Sequence, residues 1–199
     1  MGRTARHSAE DIAAAAMALD AGGGPRAATI GAIARHLNAP TGSIYYRYGS
    51  REELLGELWL TAVEGFQAGF LEVLASGDGL ETAVEAALFM PRWTREHPVE
   101  ARLLLLHNRR DFVKGAWPES MVERAQALGP ELVGGVADFA KRLYGEPSGD
   151  DLLRVNYAIL SAPYGAVRPY VQEGVALPAI LDELIRTTCR AVLKPRRSR

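Results

Sequence analysis

The chain has 199 residues, 48% of them hydrophobic, and a formal net charge of -1. That apolar content supports a buried core and excludes disorder of the whole chain, while the near-neutral charge excludes a protein that coats nucleic acid or membrane by bulk attraction. One cysteine, Cys189, excludes an internal disulfide or a multi-cysteine zinc site, and no run nears the roughly 20 uninterrupted apolar residues of a membrane span, so a reducing cytoplasm away from membrane is the expected setting.

Charge is uneven along the chain. From Met1 to Arg51 the bases Arg3, Arg6, Arg26, Arg35, Arg47 and Arg51 face only the acids Glu10, Asp11 and Asp20, so this segment is locally positive. Ser8 followed by Glu10 and Asp11 predicts an N-cap and a first helix to about Ala21, which Gly22, Gly23, Gly24 and Pro25 should end. Thr29 can cap a short second helix with Ile30, Ile33, Ala34 and Leu37 on one face. Asn38 tolerates the left-handed conformation of a tight turn, and Pro40 suits the first turn of a third helix, about Thr41 to Tyr48. Ser50 with Glu53 predicts a capping box that opens a long fourth helix through Leu54, Leu55, Leu58, Trp59 and Val63.

Ser76, Gly77, Asp78 and Gly79 break the pattern, and the remainder reads as helix again. The expected spans are Leu80 to Glu96, Val99 to Phe112, Glu119 to Tyr144, Asp151 to Gln172 with a kink at Pro163, and Pro178 to Leu193. No alternating strand or internal repeat appears, so the fold class is all-α, with about nine helices.

Helix, three-residue turn, short helix is the helix-turn-helix arrangement, whose second helix enters the major groove of DNA. The short helix reads Thr41, Gly42, Ser43, Ile44, Tyr45, Tyr46, Arg47, Tyr48. An ordinary amphipathic helix needs neither Gly42 nor three tyrosines. Thr41 and Ser43 can hydrogen-bond base edges or phosphates, Gly42 permits close approach, and tyrosine hydroxyls and arginine suit phosphate contacts.

The stretch from Ala28 to Leu55 resembles the TetR family of transcriptional regulators. It carries the Ile33-Ala34 dipeptide, the turn, then Gly42-Ser43-Ile44-Tyr45, the aromatic Tyr48, Ser50-Arg51 and Leu54, all without gaps. The resemblance implies that Thr29 is a cap and phosphate contact and that Thr41, Gly42 and Ser43 open the recognition helix. It further makes Tyr45, Tyr46 and Arg47 DNA contacts, Tyr48 an inward-packing aromatic, and Arg51 a phosphate clamp in the family's usual lysine position. Asn38, Pro40, Thr41 and Gly31 depart from the pattern, standing where glycine, serine, lysine and a longer polar residue are common.

The same resemblance implies a DNA-binding domain over residues 1–50 and a ligand-binding and dimerisation domain over 51–199. It also implies a cytoplasmic homodimer on palindromic double-stranded operator DNA, a small-molecule effector, and repression. The residues themselves offer Ala158, Ser161, Ala162, Gly165 and Ala166 as a small-residue face. Ala179, Ile180, Leu184, Ile185, Thr188 and Val192 form an apolar stripe on the last helix, and the two faces suit a four-helix interface. Candidate ligand contacts are Phe89, Met90, Trp93, His97, His107, Asn108, Phe112, Trp117, Met121, Tyr157 and Tyr164, aromatics with a few polar groups that would equally serve as bundle core.

Leu103 to Leu106 predicts a buried helix ending in the polar and basic run His107 to Arg110, while the basic tail from Lys194 reads as a solvated end. His7, His36, His97 and His107 show no metal-ligand spacing and no nucleophile elbow exists, so neither cofactor nor enzyme chemistry is expected. The competing readings are a helix-turn-helix protein governed by a protein partner and, less favoured, an all-helical enzyme.

Overall fold

The structure is a computed structural model that describes residues 7–23, 28–107 and 117–193, and every regular element among them is helical. In chain order these are α1 (Ala9–Gly23), α2 (Ile30–His36), α3 (Thr41–Arg47), α4 (Arg51–Ala75), α5 (Leu80–Glu96), α6 (Pro98–Leu106), α7 (Glu119–Tyr144), α8 (Gly149–Asn156), a π-helical turn (Tyr157–Ser161), α9 (Ala162–Glu173) and α10 (Ile180–Val192). The all-α fold is therefore as the periodicity implies. The expectations at Arg3, Arg6, Gly24, Pro25, Arg26, Asn108 to Ala116 and the basic tail lie outside the described residues.

Side-chain caps set several helix starts. Ser8 and Asp11 exchange hydrogen bonds, the Asp11 amide donating to Ser8 Oγ at 3.0 Å and the Ser8 amide to the Asp11 carboxylate at 2.8 Å. The Ser8 amide first, and the Ser8 hydroxyl second, hold the Asp11 carboxyl below its ordinary pKa. Helix α1 then runs through Gly22 and Gly23, two residues past the expected stop, because glycine weakens a helix without forbidding it. At the start of α4 the Glu53 amide donates to Ser50 Oγ at 3.0 Å, but the Glu53 carboxylate accepts from Gly49 rather than from Ser50, at 3.1 Å, so the expected box closes one residue early. Helix α6 ends at Leu106, short of the expected Phe112.

The chain divides into two compact units, Met1–Ala62 with Val99–Arg124 and Val63–Pro98 with Ala125–Arg199, the first break falling inside α4. Ile12, Ala16, Ile33, Ile44, Leu54, Leu103 and Leu105 are among the buried side chains of the first unit. Trp117 lies directly on Gly56, where an added Cβ would stand 2.6 Å from the indole ring. Further along the chain, in α7, Arg124 donates to both carboxylate oxygens of Glu57 at 2.8 Å.

The second unit packs α5 against the π turn, α9 and α10. Phe70, Phe139, Val155, Ile159 and Val167 are fully buried there. Arg95 forks onto Asp182 with bonds of 3.0 and 2.8 Å, and Arg190 reaches Glu81, so two surface ion pairs tie α10 to α5. Arg142 caps the end of α4 by donating to the Leu74 carbonyl at 2.7 Å. Cys189 is buried on α10, and desolvation pushes its thiol up to about 11.

Ser148 and Asp151 form a full capping box at the start of α8. Pro163, where a kink is expected, stands directly after a change of helix type rather than within a regular α-helix. The turn just before it widens instead, the Ala162 amide donating to the Tyr157 carbonyl five residues back, which gives the proline ring room and accommodates its missing N–H. Helix α4 is by length and composition apolar enough to cross a bilayer. Its sequence is nevertheless punctuated by Glu57, Glu64 and Glu72, and Leu54, Leu60 and Phe70 on it are fully buried within the protein.

Candidate nucleic-acid interface

The two short helices and their turn are fixed from beneath by apolar side chains. Ile30, Ile33 and Ala34 of α2 and Ile44 of α3 are buried, and Tyr48, the residue that ends α3, is 5% exposed. Thr29 caps α2 by accepting the Ala32 amide at 3.1 Å. Asn38 takes φ 50°, the left-handed conformation. The amides of Asn38 and Ala39 fold back onto the carbonyls of Arg35 and Ala34 at 3.1 and 2.9 Å, which makes the turn tight and leaves Pro40 as N-cap of α3.

With Ile44 and Tyr48 turned inward, the rest of α3 faces out. Thr41, Gly42, Ser43, Tyr45 and Arg47 are exposed, and Tyr46 is 96% exposed, so a large aromatic stands almost free of its own protein. A Cβ at Gly42 would meet nothing within 4 Å, so nothing in the chain's own packing demands a glycine there. Ser43 Oγ donates to the Pro40 carbonyl at 2.6 Å. That bond commits its proton and leaves the oxygen as an acceptor. The Arg47 guanidinium lies 5.3 Å above the Tyr48 ring, whose phenol burial pushes above its ordinary pKa.

Arg51 Nε donates to the Ala28 carbonyl at 2.7 Å and its Nη1 lies 3.6 Å from Glu52. The fold thus brings Arg51 beside the entrance of α2, one residue from Thr29. Arg35 and His36, exposed in the last turn of α2, were not among the expected contacts. Their adjacency to the turn was the available signal. An exposed α3 with hydroxyls, an amide-lined helix entrance and cations at Arg35, Arg47 and Arg51 has the size and chemistry to enter a major groove and touch phosphates beside it.

The expected ligand contacts separate into two groups. Phe89, Trp93 and His97 belong to the second unit, where Phe66 stacks on Phe70 and meets Phe89 and Trp93 with ring centroids 5.4 and 5.3 Å away, and Trp93 meets His97 at 5.2 Å. Met90 is buried in the same helix. His107, Trp117 and Met121 belong to the first unit, the last two buried and His107 half-buried. Tyr157 and Tyr164 are exposed by 49% and 41%. Asn108 and Phe112 lie outside the described residues. Gln67 and Thr94, buried in the second unit, escaped sequence reasoning. Among the described residues no group of three or more His, Cys, Asp or Glu could hold a metal.

Residues 12–58 match the profile of a family described as bacterial regulatory proteins, tetR family. Solved structures that share the fold include the following three. A TetR family transcriptional regulator, PfmR from Thermus thermophilus, superimposes with a TM-score of 0.68 at 20% identity, covering 100% of both chains. The fatty acid degradation regulator FadR from Bacillus halodurans gives 0.67 at 14% identity over 98% of this chain and 100% of its own. A TetR family transcription regulator from Marinobacter aquaeolei gives 0.62 at 18% identity over 92% of this chain and 95% of its own. No curated protein sequence matches the chain.

Proposed function

We propose that this chain, whose residues 12–58 match the tetR family of bacterial regulatory proteins, is a member of that family and a ligand-released repressor that binds palindromic operator DNA as a cytoplasmic homodimer. The observation that carries the DNA-binding part is α3. A seven-residue helix that buries only Ile44 while displaying Thr41, Ser43, Tyr45, Tyr46 and Arg47 is arranged for a surface outside the chain. Ser43 and Thr41 read base edges from the helix entrance. Thr29, Tyr45, Tyr46, Arg47 and Arg51 hold phosphates.

Residues 1–50 carry this interface together with Arg51 at the start of α4, and the rest of residues 51–199 carries the effector and the dimer contact. Leu153, Tyr157 and Tyr164 on the run through the π turn and Ile180 and Leu184 on α10 are large apolar side chains left exposed, between 41% and 67%. A second copy would cover them in an isologous contact. Ser161, Gly165 and Ala179 are exposed or half-exposed and add small residues, whereas Ala158 and Ile185 are buried inside the protein and contribute none of their surface.

The effector enters at Phe89, Trp93 and His97. Helix α4 is continuous from Arg51 to Ala75, so a tilt begun near Phe66 is carried to Arg51 and changes the spacing of two recognition helices that must reach successive major grooves roughly 34 to 36 Å apart.

Selection of duplex DNA from a random pool by the purified protein at physiological salt tests this reading. An enriched inverted repeat with half-sites about one helical turn apart is expected. A folded dimer that enriches nothing would overturn it.

A further inference from the structure

Resting on the effector-binding part of that reading, we infer that Gln67 and Thr94 form the polar end of an otherwise aromatic effector site inside the second unit, selecting an uncharged molecule that carries a hydrogen-bond donor. Both side chains are more than nine-tenths buried, at 8% and 6% exposure, and among the described residues neither Gln67 Oε1 nor Thr94 Oγ1 has a hydrogen-bond partner. A buried acceptor left unmade is costly, and its retention points to a molecule that completes it.

The two groups face one region. Phe66 meets Trp93 and Phe89, and Phe70 meets Phe89, so α4 and α5 run antiparallel with Phe66 and Trp93 at their seam. Gln67 and Thr94 each follow a seam residue by one position, about 100° further round the axis. Because the helices run in opposite directions, these two rotations carry both side chains to the same side of the pair.

An amide oxygen and a hydroxyl oxygen beside aromatic rings call for a donor on the ligand, and the rings for an apolar body. Charge is disfavoured. Among the described residues buried in the second unit only Asp151 is ionisable with a formal charge, and it is held in the α8 capping box. His97, beyond Trp93, is exposed, so a carboxylate drawn to it would leave Gln67 unpaired.

The test uses the full-length protein without DNA, titrated calorimetrically with phenol and 1-naphthol, their methyl ethers, and the matching carboxylates benzoate and 1-naphthoate. The expected result, for at least one ring size, is a phenol that binds about tenfold tighter than its ether and its carboxylate, with that preference lost in Gln67→Leu and reduced in Thr94→Val. Equal or tighter binding of the carboxylates, a donor preference that survives Gln67→Leu, or no binding in either ring series would overturn the inference. A melting temperature raised by Gln67→Leu with probe binding untouched would do the same, marking the glutamine as an unused polar group. Binding is read without operator DNA, so failure of the release mechanism, seen only in a DNA-displacement assay with the same probes, is a separate outcome.

Discussion

Arg51 donates its Nε to the Ala28 carbonyl at 2.7 Å, so the first turn of α4 and the entrance of α2 share a hydrogen bond across 23 residues. The arginine therefore ties the start of α4 to the start of α2, in addition to the charge it would lend the proposed interface. Arg51→Ala is expected to weaken binding to all duplexes alike and to flatten the plot of log affinity against log salt by about 0.9, the contribution of one phosphate. Arg51→Lys should keep the slope and still lose affinity, because an ammonium cannot copy the Nε bond to Ala28. Titration of specific and random duplexes at several salt concentrations separates the two.

Ser43 gives its proton to Pro40 at 2.6 Å, so toward DNA it is an acceptor. It should favour bases that present an amino group in the major groove, adenine or cytosine. Ser43→Ala is expected to relax selection at one position of the half-site by about 1 kcal/mol, read by repeating the random-pool selection. A uniform loss across all sequences would assign the side chain to the backbone instead.

Tyr46 and Tyr48 sit two residues apart, with exposures of 96% and 5%. Tyr46→Ala should leave unfolding free energy within about 0.5 kcal/mol of the parent while lowering DNA affinity. Tyr48→Ala should cost about 3–5 kcal/mol of stability, as for other buried aromatics. Thermal unfolding and binding measured on the same samples check both.

Trp117 occupies the space a side chain at Gly56 would need. Gly56→Ala is expected to destabilise by about 1–3 kcal/mol through overpacking. Trp117→Ala should relieve that penalty, so that the double variant loses less than the sum of the singles by about 0.5–3 kcal/mol in chemical denaturation.

Leu184 is 55% exposed on α10 beside Ile180 at 54%. Leu184→Arg would set two like charges across a two-fold contact and should yield a folded monomer in sedimentation with much weakened operator binding. A dimer that persists unchanged would move the interface elsewhere.

Much of the local structure of α2, the turn and α3 was legible because its signals are local. A threonine cap, an asparagine in the left-handed region and an aromatic at the end of α3 are chemical requirements of three adjacent turns, and Thr29, Asn38 and Tyr48 meet them where the sequence places them. What the sequence hid depends on distant partners. Nothing near Arg51 announces Ala28. Gln67 reads as an ordinary polar residue until one sees that it shares the buried stripe of Val63, Phe70 and Leu74. Tyr157 and Tyr164 read as interior aromatics, but the helical period used to place them does not hold through a widened turn.

That turn has a consequence for how the chain tolerates change in length. Val155 and Pro163 are both buried, eight positions apart, a spacing that would swing them about 80° out of line on an unbroken α-helix. The π turn absorbs one residue, which leaves an effective seven and an offset of about 20°. Removing a single residue between Tyr157 and Ser161 would thus restore an ordinary turn without rotating α8 against α9, whereas the same deletion anywhere else in the run would turn one half by about 100°. Among the described residues of this run, the π turn is thus the stretch that can lose one amino acid and keep the two halves in register.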